Sequence, residues 1–295
     1  MTSQTLIEQF RQDIGNVSST VDERQLRQKS RDFHWYSPVL TPQLQNCMAD
    51  VVVQPRTEDE IAAVVAAAVK HRIPLTVRGG GTGNYGQSVP LKGGVLVDMT
   101  GFNKVIAVEP GSIRVQAGTV IGTALESALA SGQQLMMYPS TMRSATVGGY
   151  LGGGFAGIGS VRHGIIRDSG MIESLRIMTI EGTPQILTLS GNDVSFVFHS
   201  WGTTGIILEA QLKLVPAEKW IDCIATFPAY GDVIAFGNAA FDSDLDIFLL
   251  SAVERRFAPY YKRMSEYFDG SRDAMFSMVK DSDVDRYFAL AAKFN

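Results

Sequence analysis

Two glycine-rich segments carry the residues with the clearest chemical potential in this 295-residue chain. The first comprises Gly79, Gly80, Gly81, Thr82, Gly83, Asn84, Tyr85, Gly86 and Gln87. Glycine leaves backbone N–H groups open to a ligand, and successive N–H groups can form a concavity that binds anions. The segment therefore suits a pyrophosphate group, with a flexible surface loop as the alternative for a lone segment of this kind.

The first segment contains a formal GxGxxG motif at Gly81, Gly83 and Gly86, which is also the spacing of a Rossmann dinucleotide-binding turn. A Rossmann turn needs a helix that starts in the second half of the motif, so that the pyrophosphate lies at its N-terminus. Pro90 and Gly93 exclude that helix here. A Walker loop is excluded as well, because no Lys-Ser or Lys-Thr pair closes the segment.

The second segment combines hydroxyl groups with glycines. Its potential ligand-binding residues are Pro139, Ser140, Thr141, Ser144, Thr146, Val147, Gly148, Gly149, Gly153 and Gly154. A helix beginning near Gly149 would present hydroxyls and N–H groups to the same anion. The later glycines either let the backbone lie against a flat ring or permit close helix packing. Two separated anion-binding segments favour an extended diphosphate cofactor, although the pattern alone does not identify it.

The surrounding elements indicate how these segments are positioned. The β-branched run after Asp50 predicts a strand, and Thr57–Glu60 has the spacing of a capping box for a helix that ends near His71. Pro74–Arg78 predicts the next strand, which gives a strand–helix–strand unit with parallel strands. A further strand at Val95–Asp98 follows the first segment.

The residues after the second glycine-rich segment predict a larger sheet. Strands are expected near Glu173–Ile180, Gln185–Leu189 and Ile206–Leu214, with Pro216 closing the domain. We therefore predict a helical lead-in over residues 1–48, a main domain over 49–217 and a third region over 218–295. In that last region we expect a strand at Ile221–Phe227 and a helix over Ala252–Met278.

The combined motifs resemble the vanillyl-alcohol oxidase/p-cresol methylhydroxylase flavoprotein superfamily, and in particular its branch of D-lactate dehydrogenases and glycolate oxidase FAD-binding subunits. The resemblance covers about residues 48–217, in the order and spacing of the family. Its motifs are Arg78–Gly83, Pro139-Ser140, Thr146–Gly149, Gly164–Asp168 and Gly202–Ile206. It implies an α+β fold: a two-subdomain PCMH-type FAD-binding domain with a small parallel part and a larger mixed or antiparallel sheet with helices. A partial α/β substrate domain would follow.

The same resemblance implies FAD as the cofactor. The first loop, from Arg78 to Gln87, would surround the pyrophosphate, Ser140–Gly149 would follow the phosphates and flavin, and Gly205 and Ile206 would lie near the adenine. Thr82 occupies the place where some members attach FAD to a histidine, so we expect non-covalent FAD. The chain also departs from the pattern at Tyr138, where an acid is common, and at His199 and Trp201, where glycine and glutamate are common.

Candidate catalytic residues are few, and the sequence leaves their identity unknown. Arg162 and His163 lie within the second flavin-related block, where a cation could stabilise negative charge developing on the flavin or hold a substrate carboxylate. The alternative is that Arg162 only pairs with a nearby acid such as Asp168. His34 and His71 are expected in solvated or capping positions. No metal site is indicated, because Cys47 and Cys223 lie far apart with no CxxC pattern.

The predicted function is an FAD-dependent dehydrogenase or oxidase that accepts a hydride onto the flavin N5 from a small 2-hydroxy acid or alcohol and passes electrons to an unknown acceptor. One alternative is a non-catalytic FAD-binding subunit of a larger oxidoreductase. A weaker alternative is a sugar-nucleotide reductase on the same fold. We expect residues 218–295 to form an incomplete substrate domain, whose apolar surface favours a partner subunit or a homo-oligomer.

Composition argues against several classes of protein. With 45% hydrophobic residues the chain can bury a sizeable core. A net charge of −4 without a basic stripe argues against nucleic acid as a partner. The longest apolar run, Ile61–Val69, is too short to span a bilayer, and the N-terminus lacks the pattern of a signal peptide. We therefore expect a cytoplasmic protein without a membrane span.

Overall fold

The computed structural model describes residues 4–295, which divide into two compact units. The first unit extends to Phe155 and includes Ile166–Val215. The second unit combines Ala156–Ile165 with Pro216–Asn295. The short stretch 156–165 thus lies within the range of the expected FAD-binding domain by sequence, but it packs with the C-terminal region.

Elements are numbered along the chain. The helices are α1 (Gln4–Asp13), α2 (Glu23–Lys29), α3 (Thr41–Leu44), α4 (Glu58–His71), α5 (Ile121–Leu129), α6 (Val147–Gly153), α7 (Ser160–His163), α8 (Tyr230–Phe241) and α9 (Val284–Ala291). The strands are β1 (Ser19–Thr20), β2 (Val51–Val53), β3 (Leu75–Arg78), β4 (Val95–Asp98), β5 (Val105–Glu109), β6 (Ser112–Gln116), β7 (Gln133–Leu135), β8 (Ile172–Met178), β9 (Ile186–Ser190), β10 (Ile206–Pro216), β11 (Trp220–Phe227), β12 (Ile247–Val253) and β13 (Asp273–Lys280).

The small sheet of the first unit contains the predicted strand–helix–strand unit. Its strand order is β1-β2-β4-β3, with β2 and β3 both parallel to β4. Between them, α4 starts as expected: the Thr57 hydroxyl accepts a hydrogen bond from the N–H of Glu60 at 3.2 Å. The Glu60 carboxylate accepts from the N–H of Arg56 at 2.6 Å, so two free N–H groups at the helix start are satisfied.

The apolar face of α4 explains why this sheet is buried. Ile61, Val64 and Val65 are fully buried, as are Val51 and Val95 of the strands beneath them. Residues that recur every three or four positions on a helix lie on one face, whereas strands covered on both faces are apolar throughout. The sheet therefore forms a rigid base from whose β3 end the first glycine-rich segment emerges.

The larger sheet of the first unit is antiparallel along β5-β6-β10-β8-β9, and β7 pairs with β10. Strand β10 is the central element, since it pairs with β6 on one side and β8 on the other. The bidentate contact of Arg176 on β8 with Glu58 at the start of α4 measures 2.7 and 3.0 Å. This ion pair joins the larger sheet to the helix that covers the small one.

The second unit is built on a three-stranded antiparallel sheet in the order β11-β13-β12. Helices α8 and α9 contact this sheet, and Phe227, Phe236 and Tyr287 are fully buried in its core. The Tyr287 hydroxyl lies 2.7 Å from the Ser277 hydroxyl, so this buried polar pair is satisfied internally. The strand expected at Ile221–Phe227 therefore has its partners within the described residues.

The expected helix over Ala252–Met278 is wrong. The chain instead ends β12, passes through short 3-10 turns at Arg255–Tyr260 and Lys262–Met264, and then forms β13. Pro259 lies within the first turn, where its ring and missing N–H oppose a continuous helix. The aromatic residues that recur every three to four positions here do not form one buried helical face. Tyr261 packs on Phe276 of β13, with ring centroids 5.3 Å apart, whereas Phe257, Tyr260 and Tyr267 are exposed.

The α+β class is confirmed, since helices accompany one largely parallel sheet and two antiparallel ones. Across residues 4–295, no helix combines the length and apolar character that crossing a bilayer requires.

Candidate cofactor-binding site

The structure brings the two glycine-rich segments into direct contact at the end of β3. A Cβ atom on Gly79 would overlap the hydroxyl of Thr146, and one on Gly80 would overlap the carbonyl oxygen of Ser144. Only glycine permits this close backbone approach. The two segments predicted separately from the sequence thus form the facing walls of one cradle, here called the glycine cradle: residues 79–83 and 144–149.

The second wall is fixed by backbone hydrogen bonds. The N–H of Val147 donates to Thr119 O at 2.9 Å and that of Gly148 to Ala117 O at 2.8 Å. A Cβ on Gly148 would lie 2.7 Å from the Ala117 Cβ, so that glycine serves packing. Gly149 differs: it is exposed, and a Cβ there would meet the Thr146 hydroxyl at 3.1 Å and no other atom within 4 Å.

The hydroxyl side chains of this segment are of two kinds: one is buried and caps a helix, and the others are exposed. Thr146 is buried and caps α6, since its hydroxyl accepts from the N–H of Gly149 at 3.3 Å. Ser140, Thr141 and Ser144 are exposed, with Pro139 half-buried beside them. The exposed hydroxyls are therefore the ones that can donate to a ligand.

Arg78 places a positive charge at the base of the first wall. Its guanidinium donates to Arg31 O at 2.5 Å and lies over Gly81, whose φ of 64° suits glycine. Burial lowers the pKa of Arg78, while the charges of Asp98 and Asp32 act in the opposite direction. An arginine remains protonated in proteins even with such a shift, so this charge is available to a diphosphate.

The lead-in region holds the first loop in place. The Asp32 carboxylate accepts from the N–H of Gly86 at 2.9 Å, from the N–H of His34 at 2.8 Å, and contacts the His34 Nδ1 at 2.8 Å. The N–H of Phe33 donates to Gly83 O at 2.8 Å. The expected solvated or capping position of His34 is wrong: the ring is 2% exposed and contacts the Asp32 carboxylate, which itself caps the turn at Phe33–Tyr36.

The remaining predicted cofactor residues lie around the same cradle. Gln87 accepts from the N–H of Tyr85 at 3.0 Å, and a Cβ on Gly153, at the end of α6, would lie 3.9 Å from the Gln87 amide nitrogen. Gly154 caps α6 by donating to Tyr150 O at 2.7 Å. Thr82 is half-buried and Asn84 is exposed, so both line the loop.

Gly205 immediately precedes β10, and Ile206 is the first residue of that strand. Gly205 has a φ of 142°, and a Cβ there would lie 3.0 Å from Met178 O, so its glycine character follows from close packing on β8. Ile206 is buried. The turn that precedes them approaches β3, since a Cβ on Gly202 would lie 4.0 Å from the Val77 Cβ.

Tyr150 lies on α6 next to the glycine cradle, and the sequence pattern did not point to it. Its hydroxyl is buried and has no hydrogen-bond partner among residues 4–295. Burial raises the pKa of the phenol, which therefore stays protonated and able to donate. An unpartnered buried donor, the glycine cradle and the Arg78 charge fit a diphosphate-bearing cofactor. The only sequence signal was a tyrosine between two glycine pairs.

Arg162 and His163 belong to the second unit and are not part of the glycine cradle. Arg162 forms an ion pair with Asp246 and lies over the Trp220 ring, 5.6 Å from its centroid. The alternative that Arg162 pairs with an acid therefore holds with Asp246 in place of Asp168, which lies 3.0 Å from its neighbour Arg167. Arg162, His163 and Asp246 border a cleft of about 340 Å³ that is also lined by Phe241.

The glycine cradle lies within a region that resembles known proteins. Residues 49–188 match the family described as FAD binding domain. The chain is 30% identical to glycolate oxidase subunit GlcD of Bacillus subtilis over 193 residues, which cover 62% of this chain and 40% of GlcD. It is also 30% identical to D-lactate dehydrogenase of Anaerostipes hadrus, over 61% of this chain and 42% of that protein.

A solved structure of alkyldihydroxyacetonephosphate synthase has a TM-score of 0.80 and 19% identity, covering 100% of this chain and 64% of that one. This likeness concerns the fold. The chain thus spans less than half the length of the two curated relatives and under two thirds of the solved structure. Residues 49–188 thus form an FAD-binding domain. These likenesses agree with the resemblance of the sequence motifs to the vanillyl-alcohol oxidase/p-cresol methylhydroxylase superfamily.

Proposed function

We propose that the chain is the FAD-binding part of an oxidoreductase that oxidises the CH–OH group of a small substrate, with 2-hydroxy acids as the first class to test. Support comes from two relatives whose names specify glycolate and D-lactate, both 2-hydroxy acids. The observation that carries the proposal is the glycine cradle, which offers N–H groups, hydroxyls and the Arg78 charge to a diphosphate.

FAD supplies an acceptor for the hydride that leaves the substrate carbon, and the protein supplies binding, orientation and a base. Oxidation of an alcohol to a carbonyl also releases the hydroxyl proton. Burial and the neighbouring Arg162 charge lower the pKa of the His163 ring below the ordinary 6.5, so the ring is neutral at pH 7 and has a nitrogen free to accept a proton. Its Nε2 is buried and has no hydrogen-bond partner within the described part of the chain. We propose His163 as the base and Arg162, held by Asp246, as a carboxylate-binding group.

The direct experiment is anaerobic mixing of the FAD-loaded protein with a panel of 2-hydroxy acids. The proposal predicts loss of the oxidised flavin absorbance with one or more of them, together with formation of the corresponding 2-oxo acid. An unchanged flavin spectrum with every acid and simple alcohol, despite stoichiometric FAD, contradicts it. Bleaching by a nicotinamide cofactor alone would instead favour the sugar-nucleotide reductase.

The second candidate is a non-catalytic FAD-binding subunit. One relative is named as a subunit, and the alignment covers 40% of its length. Under this alternative, flavin bleaching would appear only after a partner protein is added. The same anaerobic experiment, repeated with and without the products of neighbouring genes, separates the two candidates.

We predict that FAD is bound without a covalent link. Thr82, at the position where some family members carry a linking histidine, lacks a ring nitrogen that could attack the flavin. Acid or heat denaturation should release intact FAD into the supernatant. Flavin fluorescence that stays with the denatured protein band after electrophoresis would contradict this prediction.

We predict an acid limb in the rate of flavin reduction that depends on His163. Because the pKa of His163 is lowered, the imidazole is neutral at pH 7 and the rate should fall only as the pH drops through a value below 6.5. The same shift means that the neutral ring stabilises the fold above pH 6.5 and that this contribution is lost on acidification. His163→Gln should lower the rate by about 100-fold, within the usual range for a general base, and remove the limb.

The control for this prediction is FAD affinity, which should be unchanged in His163→Gln because the residue lies outside the glycine cradle. A variant that reduces flavin at the normal rate with the same pH profile would exclude His163 as the base.

A further inference from the structure

The turn that precedes β10 carries two backbone conformations that side chains disfavour. His199 has a φ of 55° and Trp201 a φ of 56°. In this left-handed region the Cβ atom crowds the following carbonyl, whereas glycine adopts it freely. Two such residues on either side of Ser200 are unusual, and strained positions of this kind cluster at functional sites.

Backbone hydrogen bonds explain why the turn has this conformation, but they do not explain why histidine and tryptophan occupy it. The N–H of His199 donates to Leu151 O at 3.0 Å, and the N–H of Trp201 donates to Gly152 O at 2.8 Å. Both bonds satisfy carbonyl groups at the end of α6. Glycine at either position could make the same bonds without strain, so the imidazole and indole must contribute something else.

Internal packing accounts for only part of that contribution. The His199 ring lies 5.7 Å from Phe155, 5.8 Å from Phe198 and 6.4 Å from Trp201, measured between ring centroids. Yet Trp201 is 47% exposed and Phe155 46% exposed, and His199 is exposed as well. The group therefore presents an open aromatic surface rather than a closed core.

This aromatic surface lies beside the glycine cradle. The turn is hydrogen-bonded to the end of α6, whose start is capped by Thr146 against Gly79. The seven residues of α6 span roughly 10 Å. From the other side, the Gly202 backbone approaches Val77, two residues before Gly79. The aromatic surface therefore lies at the far end of α6, roughly 10 Å from the end that is capped beside Gly79.

We propose that His199 and Trp201 form the ring-contacting wall of the site, where their side chains pack against a planar heteroaromatic ring of FAD. The ring is either the adenine or the isoalloxazine, which share the flat apolar faces that aromatic side chains bind. The proposal assigns a ligand-binding role to two side chains that depart from the family pattern, and it explains why strained non-glycine residues occupy these positions.

The test measures stability and FAD affinity separately in His199→Gly and Trp201→Gly. Each variant should raise the Tm of the FAD-free protein by about 2–4 °C, since glycine relieves the strain. Each should nevertheless raise the Kd for FAD by about tenfold, measured by titration calorimetry, because a stacking contact is lost. Quenching of tryptophan emission by FAD should also decrease in Trp201→Gly.

Arg72→Gly is the matched control, since Arg72 also has a positive φ, of 53°, at the end of α4. Strand β3 separates it from the glycine cradle by roughly 13 Å of extended chain. It should raise the Tm to a similar extent and leave the Kd unchanged. Asparagine variants of His199 and Trp201, which tolerate the same φ, repeat the test if a glycine variant folds poorly.

Titrations with ADP and FMN identify the ring. Weaker binding of ADP alone in the variants assigns the adenine, and weaker binding of FMN alone assigns the isoalloxazine. An unchanged Kd for FAD in both glycine variants, with an unchanged flavin spectrum, overturns the proposal. A lowered Tm with unchanged affinity does the same, because it reduces the two side chains to a packing role.

Discussion

Replacing Gly149 by leucine should abolish FAD retention while leaving the protein folded. Gly149 is exposed, and a Cβ there meets the Thr146 hydroxyl at 3.1 Å and no other atom within 4 Å, so the protein itself has room for the side chain. The leucine would instead extend into the open space beside Gly149, where we expect the cofactor. We expect the Kd for FAD to rise by more than about 100-fold, or about 2.7 kcal/mol, measured by titration of the FAD-free variant.

Two further glycines control for this result. Gly182→Leu adds the same side chain in the turn between β8 and β9, where no atom lies within 4 Å of the added Cβ, and it should retain full FAD affinity. Gly148→Leu should unfold or aggregate, because the Ala117 Cβ would lie 2.7 Å away. Stoichiometric FAD with an unchanged absorption spectrum in Gly149→Leu would mean that the cofactor does not pass this point.

Replacing Asp32 by alanine should reduce both stability and FAD affinity. The carboxylate is 5% exposed and accepts from Gly86 and from two nitrogens of His34, which would be left buried without an acceptor. We expect the free energy of unfolding to fall by about 3 kcal/mol, measured by denaturant titration. The first glycine-rich segment would lose its anchor at Gly86, so the Kd for FAD should rise by about tenfold.

Asp13→Ala is the control for Asp32. Asp13 also contacts a histidine, His71 at 2.6 Å, and additionally Lys70 at 2.8 Å, but on an exposed surface. Exposed ion pairs contribute little to stability, so this variant should behave like the wild type. Equal stability of the two variants would contradict the anchoring role of Asp32.

Local signals in the sequence predicted the elements that position the cradle. The apolar repeat of α4, its Thr57 cap and the β-branched strands on either side are local features, and each has the expected structure. The glycines of the two segments also predicted the site, because their requirement is local. A backbone that must approach another backbone can use only glycine, and this requirement is visible in the sequence at Gly79 and Gly80.

Contacts between distant residues were not predictable in the same way. The hydrogen bond from Gly86 to Asp32 joins residues 54 positions apart, and nothing in either local pattern indicates it. The sequence predicts helix over part of β13 because the pairing of this strand with β11 depends on residues about fifty positions away, while the aromatic spacing before it favours a helix locally. The left-handed conformations of His199 and Trp201 could not be predicted from the sequence, because histidine and tryptophan do not require them.

A crystal structure of the chain in complex with FAD shows directly where the cofactor binds. We predict that the diphosphate oxygens accept hydrogen bonds from backbone N–H groups of residues 79–83, next to the Ser144–Gly149 segment, with one ring against Trp201. A diphosphate that lies outside the glycine cradle, with no contact to either segment, would contradict the proposed binding site.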